Sequence, residues 1–121
     1  MNNNGDAILL RIFISSTDKL KHSILSESIV FQAKRYGLAG ATITKGIMGF
    51  GASSVIHSYK FWEVSDKIPV VIEIIDEEAK ILSFYETIKP FLENMRYGCL
   101  VTTEKINVLL YKPGDKKMFP H

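Results

Sequence analysis

The alternation of hydrophobic and polar positions divides the chain into four strand-like runs and two helix-like stretches. "ILLRIFI", residues 8–14, is dense in β-branched and aromatic residues and opens onto "SSTDK", a polar cluster able to turn the chain and cap a helix. From about Leu20 to Tyr36 apolar positions recur at helical spacing, with Leu25, Ile29, Ala33 and Tyr36 on one stripe, and Gly37 supplies the left-handed position that ends a helix. "GATITKGI" predicts a second strand, and "IPVVIEII", residues 68–75 with Pro69 at its edge, a third. "DEEAKILSFYETIKPFLENMR" predicts a second helix, striped by Ile81, Tyr85, Ile88, Leu92 and Met95. The acids Asp76, Glu77 and Glu78 stand at its start, where the helix dipole favours negative charge. Pro90 inside that stripe predicts a kink or restart near Lys89. "CLVTT" and "INVLLY" predict a fourth strand, interrupted or bent at Glu104 and Lys105.

The order β-α-β-β-α-β is that of a ferredoxin-like sandwich, an α+β fold whose antiparallel sheet carries two helices on one face. Nothing in the chain remains to cover the other face. Yet the third strand is apolar on both sides except at Glu73, and the first except at Arg11. Strands apolar on both sides are normally buried on both sides. A second copy of the chain is the simplest cover, so the pattern predicts an obligate oligomer packed sheet to sheet.

Composition narrows the setting. The 121 residues suit one domain over 1–121, with 1–7 and 113–121 as expected flexible tails. A net charge of +2 is far from the dense basic field of nucleic-acid binders, so nucleic acid is not an expected partner. The lone Cys99 can form no internal disulfide, and "MNNNGDA" lacks the basic and apolar regions of a secretory signal. No apolar run approaches the roughly 20 residues of a membrane span. A cytoplasmic protein without membrane insertion is the expectation.

Two features stand out as candidate chemistry. "ITKGIMGFGASSVIH", residues 43–57, places Gly46, Gly49 and Gly51 behind a β-branched run. "GIMGFG" matches neither the dinucleotide fingerprint nor the P-loop. Its glycines permit close backbone approach to a phosphate, and they equally suit a strand that bulges into a loop. Glu73, amid Val70, Val71, Ile72, Ile74 and Ile75, would cost several kcal/mol buried and unpaired, so it calls for a cation, hydrogen bonds or water. Arg11 and Lys45 lie on the strands expected to flank it, which suits a structural ion pair at a subunit seam as well as a ligand site. His22, His57, His121 and Cys99 lack metal-ligand spacing, and "GASSVIH" is not a nucleophile elbow. No catalytic arrangement emerges, and no enzyme is expected.

The pairing of "TKGIMGFG" with "VVIEIIDEE" resembles the PII signalling fold. "LRIFISSTDK", "RYGLAGATITKGIMGFGASSVIH" and "IPVVIEIIDEEAKI" together are similar to the PII-like family catalogued as domain of unknown function 190, over about residues 8–111. The resemblance implies a homotrimer with its sheets facing inward and an adenine nucleotide (AMP, ADP or ATP) in the clefts between subunits, as a ligand rather than a required cofactor. It implies phosphate contacts from Gly49, Phe50, Gly51, Ala52 and Ser53, with Glu73 as the third-strand acid near the phosphates and a partner lysine; Arg11 and Lys45, from the strand order, complete the candidate nucleotide site. It also implies a T-loop over about 52–67 that docks on a transporter or enzyme. Where PII proteins carry a glycine-rich B-loop with a phosphate-binding lysine, this chain has "NMRYGCLVTTEK", and only Lys112, Lys116 and Lys117 stand in for two C-terminal arginines.

Two other classes share the element order. One is a structural or metal-binding trimer similar to the CutA family, which would bind metal through His57 or Cys99. The other is an RNA-recognition module, which needs exposed paired aromatics that the first and fourth strands lack.

Overall fold

β1 (Asp6–Ser15) begins two residues ahead of its apolar run and occupies the interior of a four-stranded sheet. The computed structural model describes residues 6–16, 18–20, 23–49, 57–58 and 68–115. Along the chain, β1 is followed by β2 (Lys19–Leu20), β3 (Ser23–Ile24), α1 (Leu25–Tyr36) and β4 (Ala41–Lys45). Then come β5 (Met48–Gly49), β6 (His57–Ser58), β7 (Pro69–Glu77), α2 (Glu78–Asn94) and β8 (Leu100–Asn107). The sheet order is β4-β7-β1-β8 with every pair antiparallel, and β2-β3 and β5-β6 are two-residue pairings outside it. This is the ferredoxin-like order, with β7 between β1 and β4.

The period of two divides the sheet residues cleanly. Ile8, Leu10, Ile12 and Ile14 of β1, with Val70, Ile72 and Ile74 of β7, face the helices and meet Leu25, Ile29 and Ala33 of α1 and Ile81, Phe84, Ile88 and Leu92 of α2. Phe84, Leu10, Ile12, Ile72 and Ile74 are fully buried. The open face carries Phe13, Ile75 and Leu100 at 36%, 38% and 56% exposure, so part of the apolar side that lacks helices is uncovered in the single chain, although Ala7 and Leu9 on that side are buried.

The elements depart from the sequence pattern in four places. α1 starts at Leu25 rather than near Leu20, because residues 19–20 pair with 23–24. No side chain caps it; the buried Asp18 ties the turn instead, its carbonyl accepting from Leu25 N–H at 2.7 Å and its Oδ2 from Ser15 N–H at 3.0 Å. α2 runs unbroken through Pro90, whose ring lies on the exposed side. The buried residues before it (Ile81, Phe84, Ile88) and after it (Leu92) share one packed face, which keeps the chain helical on both sides of the missing N–H, with no restart near Lys89. β8 is continuous through Glu104 and Lys105, which keep register with Leu9 and Ile8 of β1. Asp76 and Glu77 end β7, leaving Glu78 as the acid in the first turn of α2. Among the described residues no helix is long and apolar enough to cross a membrane.

Candidate functional site

The register brings the two isolated charges of the sheet together. Arg11 lies directly opposite Glu73, and residues directly opposite share a face. Arg11 Nε donates to Glu73 Oε2 at 2.9 Å and Arg11 Nη1 to Glu104 Oε1 at 3.0 Å, so one guanidinium on the open face bridges carboxylates from β7 and β8. Those two hydrogen bonds, Glu73 first, hold the guanidinium above its already high ordinary pKa. Lys45 is not part of this group. It lies opposite Val70, a helix-facing residue, so its side chain leaves the sheet on the other side from Glu73, three register steps along β4.

Beside the ion group the open face holds a groove of about 790 Å³. Its floor crosses all four strands through Thr42 of β4, Glu73 and Ile75 of β7, Leu9 of β1 and Ile106 of β8. One wall is the segment 39–41, where the chain enters β4; the other is the stretch 107–111, at and beyond the end of β8. The floor is mainly aliphatic, with one carboxylate and one hydroxyl, and the 39–41 wall presents backbone. Mostly apolar lining with a few placed polar groups is the usual make-up of a small-molecule site.

The first wall is anchored from behind. Asp76 is 1% exposed, and its helix-facing position follows the parity of Val70, Ile72 and Ile74. Its Oδ2 accepts from Ala39 N–H at 2.8 Å and its Oδ1 from Glu77 N–H at 2.7 Å. Lys80 Nζ sits 3.7 Å from Oδ2 and donates to Gly37 O at 2.9 Å. Gly37, at φ +92°, ends α1 in the left-handed region and turns the chain toward this wall.

The glycine stretch leaves the opposite end of β4. Gly46 N–H donates to Pro69 O at 2.7 Å, and Gly49 pairs with His57 in the β5-β6 rung. Phe50, Gly51, Ala52 and Ser53, with 54–56 and 59–67 of the expected T-loop, lie outside the described residues. Of the residues singled out from sequence, the structure therefore brings Arg11 and Glu73 together and leaves Lys45 and Gly49 at the far end of β4. The groove walls and Asp76 escaped the sequence reading. The period-two count from Val70 would have put Asp76 on the buried face, whereas its place before "EEAKI" made it look like a dipole-matching helix start. Among the described residues no group of three His, Cys, Asp or Glu side chains is placed to hold a metal ion.

The family profile of domain of unknown function 190, described as "Uncharacterized ACR", matches residues 7–108. The chain belongs to this family. This member of domain of unknown function 190 is 37% identical over 101 residues to a UPF0166 protein of Aquifex aeolicus (strain VF5), covering 84% of the chain and 91% of the relative. To a UPF0166 protein of Methanocaldococcus jannaschii it is 34% identical over 87 residues, covering 69% and 80%. Among solved structures it is similar to CPII, a nitrogen regulatory PII-like protein from Thiomonas intermedia K12 bound to ADP, AMP and bicarbonate. The TM-score is 0.60 at 18% identity, over 89% of this chain and 96% of that one. The B. subtilis GlnK–ATP complex superposes with a TM-score of 0.56 at 13% identity, over 86% and 84%. At such identities the likeness establishes the fold of this domain of unknown function 190 chain as PII-like.

Proposed function

We propose that the protein is a non-enzymatic, PII-like regulator that binds an adenine nucleotide in clefts between the subunits of a homotrimer and signals through its 52–67 segment. The observation that carries this reading is the groove: a largely aliphatic trough across the open face, floored by Leu9, Ile75 and Ile106 and edged by the Glu73 carboxylate, on a fold shared with nucleotide-bound regulators. In a sheet-to-sheet assembly the same open face packs against its copies, which turns a surface trough into a subunit cleft.

In this reading the base lies in the groove and the phosphates extend along β4 toward its glycine end, and the phosphate contacts are assigned to Gly49, Phe50, Gly51, Ala52 and Ser53 on the family resemblance. Thr42 and Lys45 are three residues apart on one strand, about 10 Å, so a nucleotide can span the two ends. Arg11 fixes the Glu73 carboxylate at the groove, while Lys45 lies on the opposite face of β4 and takes no part in this contact. A nucleotide held there orders the 52–67 segment and changes its fit to a partner protein, a transporter or an enzyme. It does so to the extent that it binds the two loop states unequally.

Calorimetry of the purified assembly with AMP, ADP and ATP tests the reading. A saturable heat for at least one nucleotide is expected, and silence for all three up to millimolar concentration overturns it. Sedimentation gives the assembly state independently: a trimer is expected, and a monomer removes the subunit cleft.

A further inference from the structure

We infer that Asp76 is a positioning residue for the groove, a buried carboxylate that sets the 39–41 wall from behind and so governs how tightly the ligand is held. The inference rests on the nucleotide reading for the identity of the ligand, and on the geometry alone for the role of Asp76.

The carboxylate ties the wall to the β7–α2 junction, beside the separate link that Lys80 makes from α2 to Gly37 O. Oδ1 accepts from Glu77 N–H at the start of α2, and Oδ2 accepts from Ala39 N–H in the wall. Two charge-assisted bonds to backbone donors, with the group 1% exposed, make a short and stiff connection. The wall needs one. Between Leu38 and Ala41 the chain has left α1 and has not yet joined the sheet, whose first β4 pair is Ala41 with Ile74. Leu38 N–H donates to Ala33 O, and the next backbone donor along the chain, on Ala39, is the one that Asp76 takes. Gly40, between those two fixed points, lines the groove with no atom within 4 Å of where its Cβ would be. Lys80 secures the same turn one step earlier through Gly37 O and lies 3.7 Å from Asp76 Oδ2.

Asp76→Asn tests the assignment with minimal change of shape. An amide offers one acceptor oxygen where the carboxylate offers two, so one of the two backbone donors faces an NH2 group. Lys80→Met is the second variant. It frees Gly37 O and removes the cation without touching the core, and it decides alone if Asp76→Asn does not fold. Affinity for ADP by calorimetry is read beside amide hydrogen exchange, well below the melting temperature. An affinity loss of about tenfold is expected for Asp76→Asn, the low end of what loss of an outer hydrogen-bond partner costs at metal sites, with a smaller loss for Lys80→Met. Exchange at 38–41 should quicken in both, while β1 and β7 keep wild-type protection. A folded variant with wild-type affinity and wild-type exchange at 38–41 overturns the inference. So does exchange that quickens throughout the sheet, which would make Asp76 a stabiliser of the whole fold. If wild-type protein binds no adenine nucleotide, calorimetry rejects that reading by itself, and the exchange pattern still decides whether Asp76 holds the wall.

Discussion

Arg11 and Glu73 face each other across β1 and β7, joined at 2.9 Å, and the same guanidinium holds Glu104 on β8 at 3.0 Å. One cation thus serves two carboxylates on the face that lacks helices. Arg11→Ala removes the cation that both acids share across β1, and covering the two carboxylates with another subunit then buries like charges without it. The expected result is a shift toward smaller species in sedimentation, deepest at low salt, and partial recovery when Glu73→Gln and Glu104→Gln are added. An unchanged assembly would show that the ion group lies outside the subunit contact.

Phe84 is fully buried and meets Tyr36 edge-on, with ring centroids 5.6 Å apart. Phe84→Ala should cost about 3–5 kcal/mol in urea unfolding, the range for an aromatic cavity in a core that cannot collapse onto it.

Two nearby glycines should answer differently to the same substitution. Gly37 adopts φ +92°, whereas Gly40 has no positive φ and open space where a Cβ would go. Gly37→Ala should lower stability by about 1 kcal/mol through left-handed strain, and Gly40→Ala should leave it unchanged. Thermal melts of the pair check this, and equal effects would contradict it.

Since α2 passes through Pro90 without a break, the proline is a local penalty that packing outweighs. Pro90→Ala restores a backbone donor on an exposed side and should stabilise the fold by about 1–2 kcal/mol, net of the freedom regained by the unfolded chain. A destabilised variant in denaturant titration would mean that the ring itself makes a needed contact.

Cys99 is half-buried; burial first, then the negative charge of Asp18, push its thiol pKa above the ordinary value. The protonated thiol is favoured in the folded state. Its contribution is therefore whole below the ordinary thiol pKa and is lost as pH rises through the folded value. Alkylation by iodoacetamide at mildly alkaline pH should be slower in folded protein than in urea, and Cys99→Ser should flatten the decline of stability at alkaline pH. Equal alkylation rates in the two states would refute the shift.

The fold was largely legible because its strands are long runs of β-branched residues and its helices carry clear stripes, and because β-α-β-β-α-β order leaves few topologies. The errors fell where tertiary contacts overrule local preference. Pro90 and the Glu104–Lys105 pair look like breaks when read alone. Packing on both sides of Pro90, and pairing of Glu104 and Lys105 with β1, override that local signal. The site was legible only in part. Arg11 and Glu73 announced themselves as charges in apolar strands, and the sheet register paired them. Lys45 went wrong by parity: an odd number of steps from Thr42, the partner of Glu73, puts it on the other face. The groove walls carry no motif, since Ala39, Gly40 and Ala41 on one side and a mixed stretch from Asn107 to Tyr111 on the other line a ligand by placement rather than by residue type.

The sheet order also sets the timing of synthesis. β1, which pairs on both edges, leaves the ribosome first, yet its Arg11 meets Glu73 across 62 residues and Glu104 across 93. β1 joins the sheet only when loops on that scale close, so folding should be slow for a chain of this size and the sheet stays incomplete until β8 has emerged. Until β7 follows, β1 is a naked aliphatic strand with two open edges, and a nascent chain stalled before β7 is the form of this protein most in need of a chaperone.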